Sequence, residues 1–96
     1  TGACHVMRRA LFERLGGLDE RHLAVAYNDI DFCLRVRDAD LRVIYTPHAR
    51  LLHQHSASRG SDVRPARLAS YTWEREYMRT RWSRARFRSR TRAARA

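Results

Sequence analysis

Lysine is absent from this 96-residue chain, and cysteine and proline occur only twice each. The number and spacing of Cys4 and Cys33 do not indicate a disulfide framework or a zinc site, so we expect buried free thiols in a reducing compartment. The apolar stretches are far shorter than the ~20 residues that a membrane-spanning helix needs. The length allows one domain with a modest core. Because the chain opens at Thr1 within a strand-like run, we expect it to be cut from something larger.

Acidic residues are absent from the last 20 positions of the chain, which carry 8 arginines. The net charge of +10 therefore divides into +8 for residues 77–96 and only +2 for residues 1–76. Residues 83–96 have no apolar stripe and are predicted to form a disordered Arg-rich tail. The exclusive use of arginine fits bidentate recognition of anions, or simply a GC-rich coding sequence.

Hydrophobic spacing predicts three helices and three short strands. The helices are expected at 9–15, 28–38 and 66–82, and the strands at 2–8, 42–45 and 49–53. Gly16 and Gly17 stop the first helix, and the last helix is expected to pack through Leu68, Tyr71 or Thr72, Arg75, Met78 and Trp82. The wide apolar face of the middle helix favours packing against a sheet.

Two acids open the middle helix. Asn28 is a good N-cap, and Asp29 and Asp31 fall in the first turn, where negative charge is favoured. Asn28 followed three residues later by Asp31 is typical of a capping box. From composition alone, Asp29 is better explained as a helix-terminal charge than as a catalytic group.

Several short motifs occur together in one order along the chain. They are Thr1-Gly2-Ala3-Cys4, Arg9-Ala10-Leu11-Phe12, Gly16-Gly17-Leu18-Asp19-Glu20, residues 24–35 around Asn28-Asp29-Ile30-Asp31, Tyr45-Thr46-Pro47, residues 53–60 from His53-Gln54-His55, and Arg75-Glu76-Tyr77-Met78 with Trp82. In this order and spacing, residues 1–82 resemble the C-terminal, acceptor-side part of the catalytic domain of bacterial family 2 glycosyltransferases. The resemblance implies an α/β fold: a partial GT-A domain whose N-terminal, nucleotide-binding half is missing.

The resemblance implies an inverting enzyme that moves a sugar from a nucleotide-diphosphate sugar to a hydroxyl of a saccharide or lipid-linked acceptor. Asp29 matches the family's general base, which takes the proton of the acceptor hydroxyl. His53 matches a histidine that completes the coordination of Mn²⁺ or Mg²⁺, the ion that neutralises the leaving diphosphate. His55 lies on the same side of a strand as His53 and is the alternative ligand. The family's Asp-x-Asp motif belongs to the missing half and is not Asp29-Ile30-Asp31.

Four further residues are expected to bind substrate. Asp31 is either a cap or an acceptor contact, and Asp19 or its neighbour Glu20 is either a turn residue or an acceptor contact. Ser58 and Arg59 lie in a loop that closes over the diphosphate in relatives, where Arg59 would pair with phosphate oxygens. Trp73 and Trp82 are interpreted as packing residues in preference to sugar platforms.

The resemblance places the chain in cell-surface polysaccharide synthesis, in the cytoplasm or at the inner face of the plasma membrane. Rhamnose, glucose and galactose donors all stay open. The alternative function is a small module that binds nucleic acid or an anionic surface through the Arg-rich tail. We disfavour nucleic acid as a partner, because the tail has little aromatic interleaving and no nucleic-acid-binding motif is present.

Overall fold

The computed structural model describes residues 2–54 and 65–83. The helices in these ranges are α1 (Arg9–Arg14), α2 (Asn28–Asp38) and α3 (Pro65–Arg81). They confirm the three predicted helices to within a residue at either end. None of them is long and apolar enough to cross a membrane. The loop that carries Ser58 and Arg59 and the Arg-rich tail beyond Ser83 lie outside the described residues.

The end of α1 is set by the two glycines that follow it. Gly17 N–H donates to Phe12 O at 2.9 Å and Gly16 N–H donates to Glu13 O at 3.1 Å, which is the Schellman pattern of a helix C-terminus. Both glycines have positive φ, 84° and 68°. A Cβ on Gly17 would lie 3.1 Å from the Phe12 ring, so this turn requires glycine for both its backbone and its packing.

The start of α2 differs from the prediction. Tyr27 occupies the N-cap position with a left-handed φ of 61°, and no side chain caps the helix. Asn28 instead donates from Nδ2 to Leu23 O at 3.3 Å. The predicted capping box of Asn28 and Asp31 is therefore wrong, because both side chains turn to longer-range partners.

The three predicted strands do not form among the described residues. Segments 5–8, 41–46 and 50–54 have no regular structure, and their apolar side chains are open to solvent, with Val6 94% and Leu52 88% exposed. A strand exists only when a neighbouring strand accepts and donates its backbone hydrogen bonds, and these segments have no such neighbour in the described chain. The α/β fold class stays a prediction.

The buried core is small and centres on α2. Leu23, Phe32 and Val36 are its fully or nearly buried apolar side chains. The Phe32 ring packs on Phe12 of α1 at a centroid distance of 5.5 Å. An open groove of about 900 Å³ runs along α1 and α2 and is lined by the N-terminal segment and by residues 41–44.

The packed face of α3 is the predicted one only near its C-terminal end, where Met78 and Trp82 are partly buried as expected. Leu68 is 52% exposed, whereas Glu74 is only 3% exposed and Tyr77 and Arg81 are partly buried. The helix therefore docks through a polar stripe that lies beside the predicted one, together with Met78 and Trp82 of the predicted stripe. The physical reason is that the groups it meets are backbone N–H groups and carboxylates, which need polar partners.

Candidate functional site

Asp31 forms the centre of a buried ionic network. Its carboxylate, which is fully buried, accepts hydrogen bonds from Arg35 Nε at 2.9 Å and from Trp82 Nε1 at 2.9 Å. Arg81 Nε lies 3.4 Å from the same carboxylate. Both oxygens are engaged inside the fold, which gives Asp31 a structural role, and its predicted contact with substrate stays a prediction. Asp31 fastens the end of α3 to α2.

Arg35 extends this network to the end of α1. Its Nη1 donates to Leu15 O at 2.6 Å and its Nη2 donates to Gly17 O at 2.7 Å. Its guanidinium also lies 5.1 Å from the centroid of the Phe32 ring. One arginine thus satisfies the carbonyls of the Gly-Gly turn and the Asp31 carboxylate together, which fixes α1, the turn and α2 as one unit.

A second acid, Asp19, lies in the loop between α1 and α2. Its carboxylate accepts hydrogen bonds from His22 N at 3.0 Å, His22 Nδ1 at 3.1 Å and Tyr77 Oη at 3.4 Å. Arg81 Nη1 lies 3.4 Å from it. We call Asp19, His22, Tyr77 and Arg81 the Asp19 cluster. Burial raises the pKa of Asp19, but the hydrogen bonds from His22 and Tyr77 lower it by more, so the pKa lies below its ordinary value.

Arg81 joins the two acids. It contacts Asp19 through Nη1 and Asp31 through Nε, each at 3.4 Å. Two residues that the sequence marked as substrate contacts are thus brought together by an arginine from the end of α3. The same guanidinium lies over the rings of Tyr77 and Trp82, 5.9 Å and 5.5 Å from their centroids.

Glu74 holds the segment that leads into α2. Its Oε1 accepts a hydrogen bond from Val25 N and its Oε2 accepts one from Ala26 N, both at 2.9 Å. We call this bidentate contact the Glu74 clamp. It satisfies two consecutive backbone donors that α2 cannot reach, immediately before the left-handed Tyr27 and the start of the helix at Asn28. The clamp therefore sets where the first turn of α2 lies.

Asp29, the predicted base, is the partly exposed acid of that first turn. Its Oδ1 accepts a hydrogen bond from Ile30 N at 2.8 Å. The N-terminal segment passes close by: a Cβ on Gly2 would lie 2.9 Å from Asp29 Cβ, so a larger residue at Gly2 would collide with it.

Burial, and after it the charge of Asp29, raises the pKa of the Cys33 thiol.

The predicted metal site is not assembled by the described residues. His53 is exposed in the irregular segment that ends at Gln54, and His55 lies outside the described part. Within that part, no three His, Cys, Asp or Glu side chains are grouped so that they could hold a metal ion. The described residues therefore do not fit a Mn²⁺ or Mg²⁺ centre, and His53 as a ligand stays a prediction. Ser58 and Arg59 lie in the undescribed loop, so the structure does not place them.

The sequence did not predict that Glu74, His22 and Tyr77 contact other parts of the fold. Their signal was present but weak: Glu74, Tyr77 and Arg81 recur at helical spacing and mark a polar stripe on α3. A polar stripe is usually a solvated face. Only the partners, which lie 49 positions earlier for Glu74 and 58 for Tyr77, show that this stripe packs against the rest of the chain.

Sequence comparisons find partial matches to known proteins, two of which are named for O-antigen biosynthesis and rhamnosyl transfer. The chain is 46% identical over 82 residues to the uncharacterized protein y4gI of Sinorhizobium fredii. It is 46% identical over 65 residues to the O-antigen biosynthesis protein RfbC of Myxococcus xanthus. It is 36% identical over 62 residues to an N-acetylglucosaminyl-diphospho-decaprenol L-rhamnosyltransferase of Mycobacterium tuberculosis. The chain is related to segments of proteins of O-antigen synthesis and rhamnosyl transfer.

These matches cover much of the chain but little of each relative. They span 85%, 68% and 65% of the chain, and 9%, 5% and 20% of the respective proteins. No family model matches the chain, and no solved structure does. The similarity to glycosyltransferase sequences is thus a property of one segment of much longer proteins.

Proposed function

We propose that this chain is the acceptor-side part of an inverting family 2 glycosyltransferase with a GT-A fold. It would help to move a sugar from a nucleotide-diphosphate sugar to a hydroxyl of a saccharide or lipid-linked acceptor. The observation that carries the proposal is the 46% identity over 65 residues to a protein named for O-antigen biosynthesis. The 36% identity to an L-rhamnosyltransferase whose named acceptor is a lipid-linked sugar supports the same chemistry.

In this proposal Asp29 is the general base. Its carboxylate is partly exposed at the start of α2, and the Glu74 clamp fixes the backbone just before it. The acceptor oxygen attacks the anomeric carbon as the bond from that carbon to the diphosphate oxygen breaks. The hydroxyl proton passes to Asp29, and the nucleoside diphosphate leaves. A positioned carboxylate suits this step because it is ionised at neutral pH and can accept a hydrogen bond from the hydroxyl.

The rest of the machinery is proposed to come from other parts of a longer protein. Donor binding is assigned to the nucleotide-binding half of the domain, which is proposed to lie outside this segment. Because the described residues do not form a metal centre, no step of the proposal is assigned to a metal. In this proposal Asp31 acts by fixing the end of α3 to α2 through Arg81 and Trp82.

The test uses the longer protein that contains this segment. Nucleotide-diphosphate rhamnose, glucose and galactose are each incubated with an N-acetylglucosaminyl-diphosphoprenyl acceptor, and release of nucleoside diphosphate and product mass are measured. Asp29→Asn is expected to lower transfer by about 100-fold or more, the range of general-base catalysis, with an unchanged circular dichroism spectrum. The control, Glu76→Gln, alters a side chain that is 57% exposed on α3 and should keep full activity. Transfer by Asp29→Asn within a few-fold of wild type removes Asp29 as the base, and failure of the wild-type protein with every donor refutes the proposed transfer.

A further inference from the structure

The two tryptophans of the chain have opposite environments. Trp82 donates from Nε1 to the buried carboxylate of Asp31 and lies beneath the Arg81 guanidinium. Trp73 is 54% exposed, although an indole is among the side chains that gain most from burial. Packing therefore explains Trp82 but leaves the exposure of Trp73 without a structural reason.

Trp73 is nevertheless fixed in place by stacked rings. Its ring lies nearly parallel to Tyr77, with centroids 5.5 Å apart and an angle of 10°. Tyr77 stacks on His22 at 4.7 Å and 6°, and His22 lies 6.4 Å from Trp73 at 12°. The planes of the three rings are thus nearly parallel. Tyr77 and His22 are also hydrogen-bonded to Asp19. An exposed aromatic surface with a fixed orientation is a common element of binding sites.

Polar groups of the Asp19 cluster border this aromatic surface. The Nδ1 atom of His22 is used by Asp19, so Nε2 is the ring atom left to bond a ligand. The side chains of His22 and Arg81 are 42% and 33% exposed. A flat apolar surface with hydrogen-bonding groups at its edge matches a sugar ring, which has an apolar C–H face and a rim of hydroxyls.

An open groove continues from the same residues. It has a volume of about 530 Å³ and shares Asp19 and Arg81 with the cluster. Its other walls are the turn after α1, with Phe12, and residues 20, 21 and 35. The volume lies in the range of small-ligand sites. It gives room for a second unit of a saccharide whose first ring lies on Trp73.

We propose that Trp73, together with His22 and Asp19, forms a binding platform for a neutral sugar ring of the acceptor, with the adjoining groove taking the next unit. The identity of the ligand, an acceptor sugar, rests on the proposed function. Binding at this platform does not require that the protein transfers a sugar. Arg81, the arginine of the Asp19 cluster, is already paired with Asp19 and Asp31, each at 3.4 Å. This pairing favours a neutral sugar over the phosphates of a nucleotide as the occupant.

The experiment measures binding by the 96-residue chain without any donor. Saturation-transfer NMR is recorded with methyl glycosides of rhamnose, glucose, galactose and N-acetylglucosamine, and with uridine diphosphate as a nucleotide probe. At least one glycoside is expected to bind with a dissociation constant of about 1–10 mM, as suits a single small ligand. Trp73→Ala is expected to weaken binding by about tenfold, equivalent to 1.4 kcal/mol, and Trp73→Phe is expected to have a smaller effect.

The matched control is Tyr71→Ala, which removes an aromatic ring that is 38% exposed on the same helix and belongs to no stack described above. Its binding should equal that of the wild-type chain. Equal binding by the wild-type chain and Trp73→Ala, or no saturation transfer from any glycoside, overturns the proposal. So does binding of uridine diphosphate alone, which would make the platform a nucleobase site. Because this assay contains no donor, its failure leaves the transfer assay of Asp29→Asn to be judged separately.

Discussion

Replacing Glu74 by alanine removes two hydrogen bonds that hold the entry into α2, and we expect a large loss of stability. The side chain is 3% exposed, and each of its oxygens accepts one backbone N–H at 2.9 Å. A hydrogen bond to a charged group contributes about 1.5–3 kcal/mol, so the pair contributes about 3–6 kcal/mol. This is comparable with the total stability of a small domain, about 5 kcal/mol at the low end.

Glu74→Gln is expected to lower the stability by less than Glu74→Ala does. The amide keeps the shape and one oxygen acceptor, but it places an NH₂ group against a second N–H donor. One bond and the charge are lost, so we expect a destabilisation of about 2–4 kcal/mol. The control is Glu76→Ala, on the same helix. Its carboxylate is 57% exposed and lies 3.4 Å from Arg79, so its removal should change stability by less than about 0.5 kcal/mol.

The assay is urea unfolding of the 96-residue chain and its variants, followed by far-ultraviolet circular dichroism. Amide hydrogen exchange at Val25 and Ala26 gives a local readout that works even where Glu74→Ala is too unstable for a full unfolding curve. Both amides should exchange much faster in the Glu74 variants and at the wild-type rate in Glu76→Ala. Equal stabilities of Glu74→Ala and Glu76→Ala, or unchanged exchange at the two amides, would refute the clamp.

Two further predictions follow from the shifted pKa values. The pKa of Asp19 is below its ordinary value of 3.8 in the folded chain, so its stabilising effect is complete above that value and is lost as the pH falls through the folded pKa. The free energy of unfolding of Asp19→Asn and of wild type should therefore converge as acid is added, and a difference that is independent of pH contradicts this. Asp29→Asn should speed iodoacetamide labelling of Cys33, because the charge of Asp29 helps to raise the pKa of that thiol. Mass spectrometry measures the rate, with the exposed Cys4 as the internal reference, and an unchanged rate at Cys33 would show that the Asp29 charge does not act on it.

Local sequence patterns predicted the helices well. The Gly16-Gly17 stop, the acids at the start of α2 and the end of α2 near Asp40 each depend on a few neighbouring residues. The sequence also marked Asp19 and Asp29 as notable acids, and it divided the net charge into +2 for residues 1–76 and +8 for residues 77–96. The strands were not found in the described chain, because strand formation requires a partner that local pattern does not supply.

The roles of the acids could not be read from local sequence. Asp29 and Asp31 lie two residues apart in one turn, yet Asp29 is partly exposed while Asp31 is fully buried against arginines and Trp82. In the same way, composition treats Trp73 and Trp82 alike, and only the fold leaves Trp73 exposed while Trp82 is partly buried against Asp31. Whether such a side chain is buried or exposed depends on which face of its helix packs against the rest of the chain.

Neighbouring residues were enough to predict the three helices, the glycine stop of α1 and the distribution of charge, because these follow from backbone preferences and contacts within a few positions. The tertiary structure alone decided that Glu74 holds the loop before α2, a contact across 49 positions, and that Arg81 reaches Asp19 across 62. Such contacts depend on how α3 is placed against the loop before α2 and, at its end, against Asp31. That placement is fixed by buried polar groups that must find partners, and their spacing in the sequence looks the same as that of a solvated surface.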